Sequence, residues 1–241
     1  MGMKPRLPAT GISPLSFDDF ARINLKALES SPYYNPEDDL LSRLQGLHPT
    51  RDLLELFGDG LQGVSPSARY LALRYYASEC RQSSKSTRSG GMVKEPLLCM
   101  GDLHVEGTLL NSDCIVVLGD LTITGNYLAF LDYPLLYVGG RLRVHNLFLQ
   151  ETESICLEGI EAERVATLVR NHTVTIAKSL QAKTLIMDDV SLDATINATH
   201  VYEDGGYQVY ADTFDLTFDA DADDFDADEH IVEQLISMLR D

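Results

Sequence analysis

Three short stretches decide the fold: GIEAERVATL (159–168), SLQAKTLIM (179–187) and TINATHVY (195–202). Each carries an apolar residue, a polar one, an alanine and a polar one: Ile160-Glu161-Ala162, Leu180-Gln181-Ala182, Ile196-Asn197-Ala198. None contains a nucleophile, a metal-ligand set or a phosphate loop. A recurring pattern with no chemistry in it is an architectural signal. The same alternation runs back through Leu142/Val144, Leu121/Ile123 and Leu103/Val105. The first members stand at 103, 121, 142, 160, 180 and 196, with steps of 18, 21, 18, 20 and 16. That is an internal repeat with a loose period near nineteen.

Two further positions keep step. Three residues before each first member stand Met100, Leu118, Gly139, Leu157, Ala177 and Asp193. Six residues after it stand Leu109, Tyr127, Phe148, Ala166, Ile186 and Tyr202. Each unit therefore supplies about three short strands. One unit cannot bury its apolar face alone, but stacked units can, with each strand ~4.8 Å from its counterpart. The expected fold is mainly β with α: a parallel β-helix (solenoid) of about six rungs. An antiparallel sandwich would need regularly spaced hairpin turns such as Asn-Gly, and the Asn-Gly dipeptide is absent; LLNSDCIVVLGD (109–120) is the stretch that also fits a hairpin. Ala162, Ala182 and Ala198 stand where Val105, Ile123 and Val144 stand earlier, so the coil should narrow toward its C-terminal half.

The flanks read differently. Residues 1–80 form a helical region. Ser16 with Asp19 resembles a capping box, Asn35-Pro36 opens a second helix, Thr50 caps a third and Ser65-Pro66 opens a fourth. Residues 81–94, with RQSSKSTRSGG, read as a linker or exposed loop. The β-helix spans 95–211, and 212–241 holds an acidic segment and a C-terminal capping helix with Ile231, Leu235, Ile236 and Leu239 on one side. The helices are expected to cover the two ends, where strand edges would otherwise invite aggregation.

Charge narrows the function. Thirty-seven Asp and Glu face nineteen Lys and Arg, a net charge of −18. Such a field repels nucleic acid and anionic membranes and attracts basic partners. MGMKPRLPATGISPLSF lacks the apolar core of a secretory signal, and no run approaches the ~20 apolar residues of a membrane span. A cytoplasmic location is expected. Cys80, Cys99, Cys114 and Cys156 fall at irregular spacing and read as reduced, buried thiols.

The most unusual segment is ADTFDLTFDADADDFDADEH (211–230). Residues 212–241 carry eleven acids and one base, −10 of the total. As a calcium loop it fails in detail. Asp219, Asp221 and Asp223 supply three ligand positions, but Asp224 replaces the required glycine and His230 the bidentate glutamate. As a protein-docking surface it is well equipped. Asp215, Phe218, Asp219, Asp221, Asp223, Asp224, Phe225 and Asp226 interleave carboxylates that steer an encounter with phenylalanines that supply anchor area. His104, His145 and His200 sit at different offsets within their units, so they do not converge on a metal. The Gly-Asp pairs at 101–102 and 119–120 read as repeated turn chemistry. No cofactor and no enzymatic activity are expected.

Units such as LGDLTITGN (118–126) and IEAERV (160–165), within residues 98–202, resemble those of the bactofilins. These are bacterial polymer-forming cytoskeletal proteins, and the resemblance implies a β-helix and a self-assembling scaffold. In modest size, acidity and lack of a catalytic signature the chain also resembles acidic toxin-immunity proteins. That resemblance implies a cognate toxin as the basic partner. The expected function is a non-enzymatic binding protein, an immunity protein that occludes the active site of a bacterial toxin, a nuclease being one target class. The alternative is a bactofilin-like scaffold. A homodimer is compatible with both.

Overall fold

A computed structural model describes residues 53–60, 65–130, 133–170 and 172–203. The 95–202 repeat is a parallel β-solenoid of about six turns, and the registers show why. Leu103 pairs with Leu121, Leu121 with Leu142, Leu142 with Ile160, Ile160 with Leu180 and Leu180 with Ile196. The residues aligned by period alone are neighbours in space.

Each turn contributes to three sheets. Sheet A stacks β2 (Leu97–Cys99), β4 (Cys114–Val117), β7 (Leu135–Val138), β10 (Glu153–Cys156) and the first parts of β13 (Val174–Asp188) and β14 (Ser191–Glu203). Sheet B stacks the start of β1 (Lys85–Val93), the start of β3 (Asp102–Asn111), β5 (Leu121–Ile123), β8 (Arg141–Val144), β11 (Gly159–Ala162) and the middles of β13 and β14. Sheet C stacks the ends of β1 and β3, then β6 (Asn126–Ala129), β9 (Asn146–Gln150), β12 (Val165–Val169) and the ends of β13 and β14. The inner faces meet in one core that includes Leu103, Leu121, Leu142, Ile160 and Leu180, with Ala162 and Ala182 in the neighbouring column.

Three expectations change. First, the sheet C column is Leu109, Tyr127, Leu147, Ala166, Leu185, Val201. The corner between sheets B and C takes six residues in three turns and five in the others. A constant offset therefore slips by one and names the outward Phe148, Ile186 and Tyr202. The position before the repeat slips likewise, since Ala177 pairs with Cys156, not Leu157. Second, the 81–94 linker is corrected over 85–93. This stretch is β1, paired in parallel with β3, Lys85 opposite Asp102 and Val93 opposite Asn111. Its polar composition misled because it is the first strand, with one edge facing solvent. Third, the helix that starts at Ser65 does not cap an end.

That helix, α1 (Pro66–Cys80), begins as its sequence indicates. The Ser65 hydroxyl accepts a hydrogen bond from the Ala68 N–H at 3.3 Å, and proline fills the first position. The helix lies along the outer face of sheet A. Ala68, Ala72, Leu73 and Tyr76, with Leu53, Leu56 and Phe57 of the preceding helical turns, pack on Cys114, Val116, Leu118, Tyr137, Ile155 and Ile176. At ~1.5 Å per residue its 15 residues span ~22 Å, enough to cross about four rungs. Sheet A is thus buried on both faces, which explains why CIVV and LLYV read as continuous apolar runs. The helices placed over 16–28 and 35–44, the start of the one capped by Thr50, and the C-terminal helix lie outside the described residues.

One polar clasp pins α1 to the coil. Arg69 Nη1 donates to Glu153 Oε2 at 2.6 Å, and the Tyr137 hydroxyl donates to Glu153 Oε1 at 2.9 Å. Both charged side chains are largely buried, at 14% and 12% exposure. Burial and the neighbouring Glu153 carboxylate push the Tyr137 hydroxyl well above its ordinary pKa, so it stays a donor.

Candidate protein-binding surface

The three outer faces differ in chemistry. Sheet A is covered by α1. The outward row of sheet C (Leu110, Leu128, Phe148, Thr167, Ile186) is buried and, but for Thr167, apolar, and it ends at Tyr202, which is exposed. Sheet B alone presents a polar outward row: His104, Thr122, Arg143, Glu161, Gln181 and Asn197 in one column, with His145, Glu163, Lys183 and Thr199 beside it.

Charges on the earlier rungs of sheet B neutralise one another. Arg143 bridges Asp120 at 3.0 Å and Glu161 at 3.1 Å, Arg141 reaches Glu161 at 2.5 Å, and Arg81 reaches Asp102 at 2.9 Å. The Gly-Asp turns do what the sequence indicated. Asp102 Oδ1 accepts the Asp120 N–H at 3.0 Å, and Asp120 Oδ1 accepts the Arg141 N–H at 3.0 Å. Each carboxylate caps the next rung. Burial alone would raise the Asp120 pKa, but the Arg141 N–H and the Arg143 guanidinium outweigh it and hold the carboxyl below its ordinary value. These acids are therefore structural. Glycine is required beside them, because a Cβ on Gly140 would stand 2.1 Å from Asp120 Oδ1 and 2.9 Å from the Gly119 carbonyl.

Among the described residues the last two rungs of the same face form no ion pair. Gln181, Lys183, Asn197 and Thr199, with Glu161 and Glu163, line an open groove of about 930 Å³. The histidines stay apart as expected: His145 Nδ1 lies 2.8 Å from Glu163, and His200 pairs in register with Thr184. Among the described residues no group of His, Cys, Asp and Glu could hold a metal ion. All four cysteines are buried thiols outside any disulfide, and burial pushes the Cys156 thiol up. No helix among the described residues is long and apolar enough to cross a membrane.

The two ends of the coil differ most. Residues 81–95 carry Arg81, Lys85, Arg88 and Lys94 against Glu95, whereas residues 174–203 carry Asp188, Asp189, Asp193 and Glu203 against Lys178 and Lys183. Among the described residues the exposed large apolar side chains are Met92, Tyr133, Ile196, Val201 and Tyr202. Four of these five lie on the terminal strands. Ile196 and Val201 belong to inner columns and are 41% and 45% exposed, and among the described residues β14 is the last rung. Sequence reasoning missed this surface, because a residue in the core pattern reads as core until the last rung is known.

The expected partner-binding residues Asp215, Phe218, Asp219, Asp221, Asp223, Asp224, Phe225 and Asp226 lie outside the described residues, on the segment that follows β14. No protein-family model, no curated protein and no solved structure matches this chain.

Proposed function

We propose that the protein is a non-enzymatic binding protein, an immunity protein that neutralises a cognate bacterial toxin by covering its active site with an acidic surface. The partition of charge carries this reading. Residues 81–203 hold ten Lys and Arg against fifteen Asp and Glu, and residues 212–241 hold one base against eleven acids. The coil's arginines are largely engaged by its own carboxylates. The unmatched field that a cationic cleft would sense therefore comes from the acidic segment, where Phe218 and Phe225 offer apolar anchors. A nuclease fits as the target because a nucleic-acid cleft is basic. The test is a binding and toxicity assay with the product of the adjacent gene. A 1:1 complex, lost when Asp219, Asp221, Asp223 and Asp224 become Asn, supports the reading; a product that is neither toxic nor bound removes it.

A second reading, a self-assembling scaffold of bactofilin type, is favoured by the exposed apolar residues at both ends, Met92 on β1 and Ile196, Val201 and Tyr202 on β14. Sedimentation separates the two: filaments support the scaffold, and a monomer or dimer supports the immunity protein.

A further inference from the structure

We infer that the free edge of β14 is a docking site for an extended, basic strand of a partner protein, which adds to the solenoid as one more rung. This rests on the basic-partner reading and names the surface that such a partner uses.

Both ends of a solenoid expose unpaired backbone, but only one is left unprotected here. At β1 the inner-column positions opposite Leu103 and Val105 are Ser86 and Arg88. Lys85 and Lys94 flank the strand, and its register shifts between Ser89 and Gly91. An inward-pointing charge, edge lysines and a bulge are the devices by which β-proteins block further pairing. β14 carries none of the three over 195–203. Its inner positions are Ile196, Ala198 and Val201, in line with Leu180, Ala182 and Leu185, and among the described residues it pairs only with β13. Among the described residues nothing pairs with the other side of these 13 residues, and of their inner positions Ile196 and Val201 are exposed while Leu192, Ala194 and Ala198 are partly buried.

Charge selects the occupant. Asp193 and Glu203 lie on β14 and Asp188 and Asp189 just before it, which leaves residues 174–203 net acidic against Lys178 and Lys183, and the −10 segment follows in the chain. A second copy meeting it tail to tail would bring like charges together. A strand with alternating apolar and cationic side chains would instead set its apolar row over Ile196, Ala198 and Val201. Its cations would meet the acids, while main-chain hydrogen bonds supply the pairing.

The probe is a synthetic thirteen-residue peptide alternating valine and lysine, with a proline-interrupted peptide of equal charge as control. It is titrated into the full chain by fluorescence anisotropy. The alternating peptide should bind at least tenfold more tightly than the control. Ile196→Lys/Val201→Lys, which places charge in the open column, should weaken it at least tenfold, and Tyr133→Lys, at the exposed apolar residue away from the ends, should leave it unchanged. In the unmodified chain, hydrogen exchange of 191–203 should slow on peptide addition. Equal affinity for both peptides, no loss in the double variant, or exchange of 191–203 unchanged by saturating peptide overturns the inference. So does self-association that the double variant abolishes when the peptide does not bind. The peptide assay stands apart from the toxin assay, so either proposal can fail while the other holds.

Discussion

Leu142→Ala tests the stacked core at its centre. Leu142 is fully buried, with Leu121 on the rung before it and Ile160 on the rung after. The substitution removes three carbons, worth ~2.4 kcal/mol at ~0.8 kcal/mol per buried methylene. Paired strands above and below hold the site open, so a cavity term adds to this, and the expected loss is ~3–4 kcal/mol. For a chain of this size that corresponds to a fall in Tm of roughly 6–16 °C. Ile196→Ala removes a similar volume from the same column, but at 41% exposure it should cost only ~1.4 kcal/mol, with no cavity term. Urea denaturation followed by circular dichroism measures both. Equal losses at the two positions would refute the reasoning, because an interior rung has two neighbours and the last rung has one.

Other expectations follow from single contacts. Glu153→Leu removes the carboxylate shared by Arg69 and Tyr137 and should destabilise by ~3 kcal/mol, while the triple variant Arg69→Met/Tyr137→Phe/Glu153→Leu, which leaves no buried polar member of the clasp, should recover most of it in the same denaturation assay. The Thr175 hydroxyl is buried and has no hydrogen-bond partner among the described residues, so Thr175→Val should be neutral or stabilising by up to ~1 kcal/mol, and a clear loss would refute this. The Asp120 pKa is depressed in the folded state, so its stabilising effect is present above the unfolded carboxylate value of ~3.9 and is lost as pH falls through the lower folded value. Asp120→Asn should therefore narrow the stability difference between pH 6 and pH 2, and an unchanged pH profile would deny the Asp120–Arg141–Arg143 linkage. Gly140→Ala should cost more than ~2 kcal/mol, because the added methyl meets Asp120 and the Gly119 backbone.

The solenoid was legible because its core positions recur in one dimension. Leu103, Leu121, Leu142, Ile160, Leu180 and Ile196 announce their stacking through spacing alone, and each pairs as aligned. Corners were less legible. Nothing in Arg143-Val144-His145 signals a five-residue corner rather than six, so the sheet C column slipped onto Phe148. The first strand was missed because Lys85 to Gly91 has a solvent-facing edge and needs no apolar alternation on it. The docking of α1 was hidden for a related reason. Val116 and Tyr137 look like core residues, and only the three-sided coil shows that they point outward toward a helix. The acidic segment is conspicuous in composition, and its chemistry was argued from charge, not from geometry. The β14 edge was not legible, since Ile196 and Val201 follow the core pattern and only the structure shows them exposed on the last described rung.

The most direct test of the stacked coil is a ladder of spin-label distances by pulsed electron resonance. One label replaces His104, and a second replaces Gln181 or Asn197 in the same outward column, four and five rungs away. With ~4.8 Å per rung the distances should be ~19 and ~24 Å, lengthening by one strand spacing as the second label moves sixteen residues along the chain. A distance that shortens or stays constant between the two positions would contradict parallel stacking and return the chain to a folded-over sandwich.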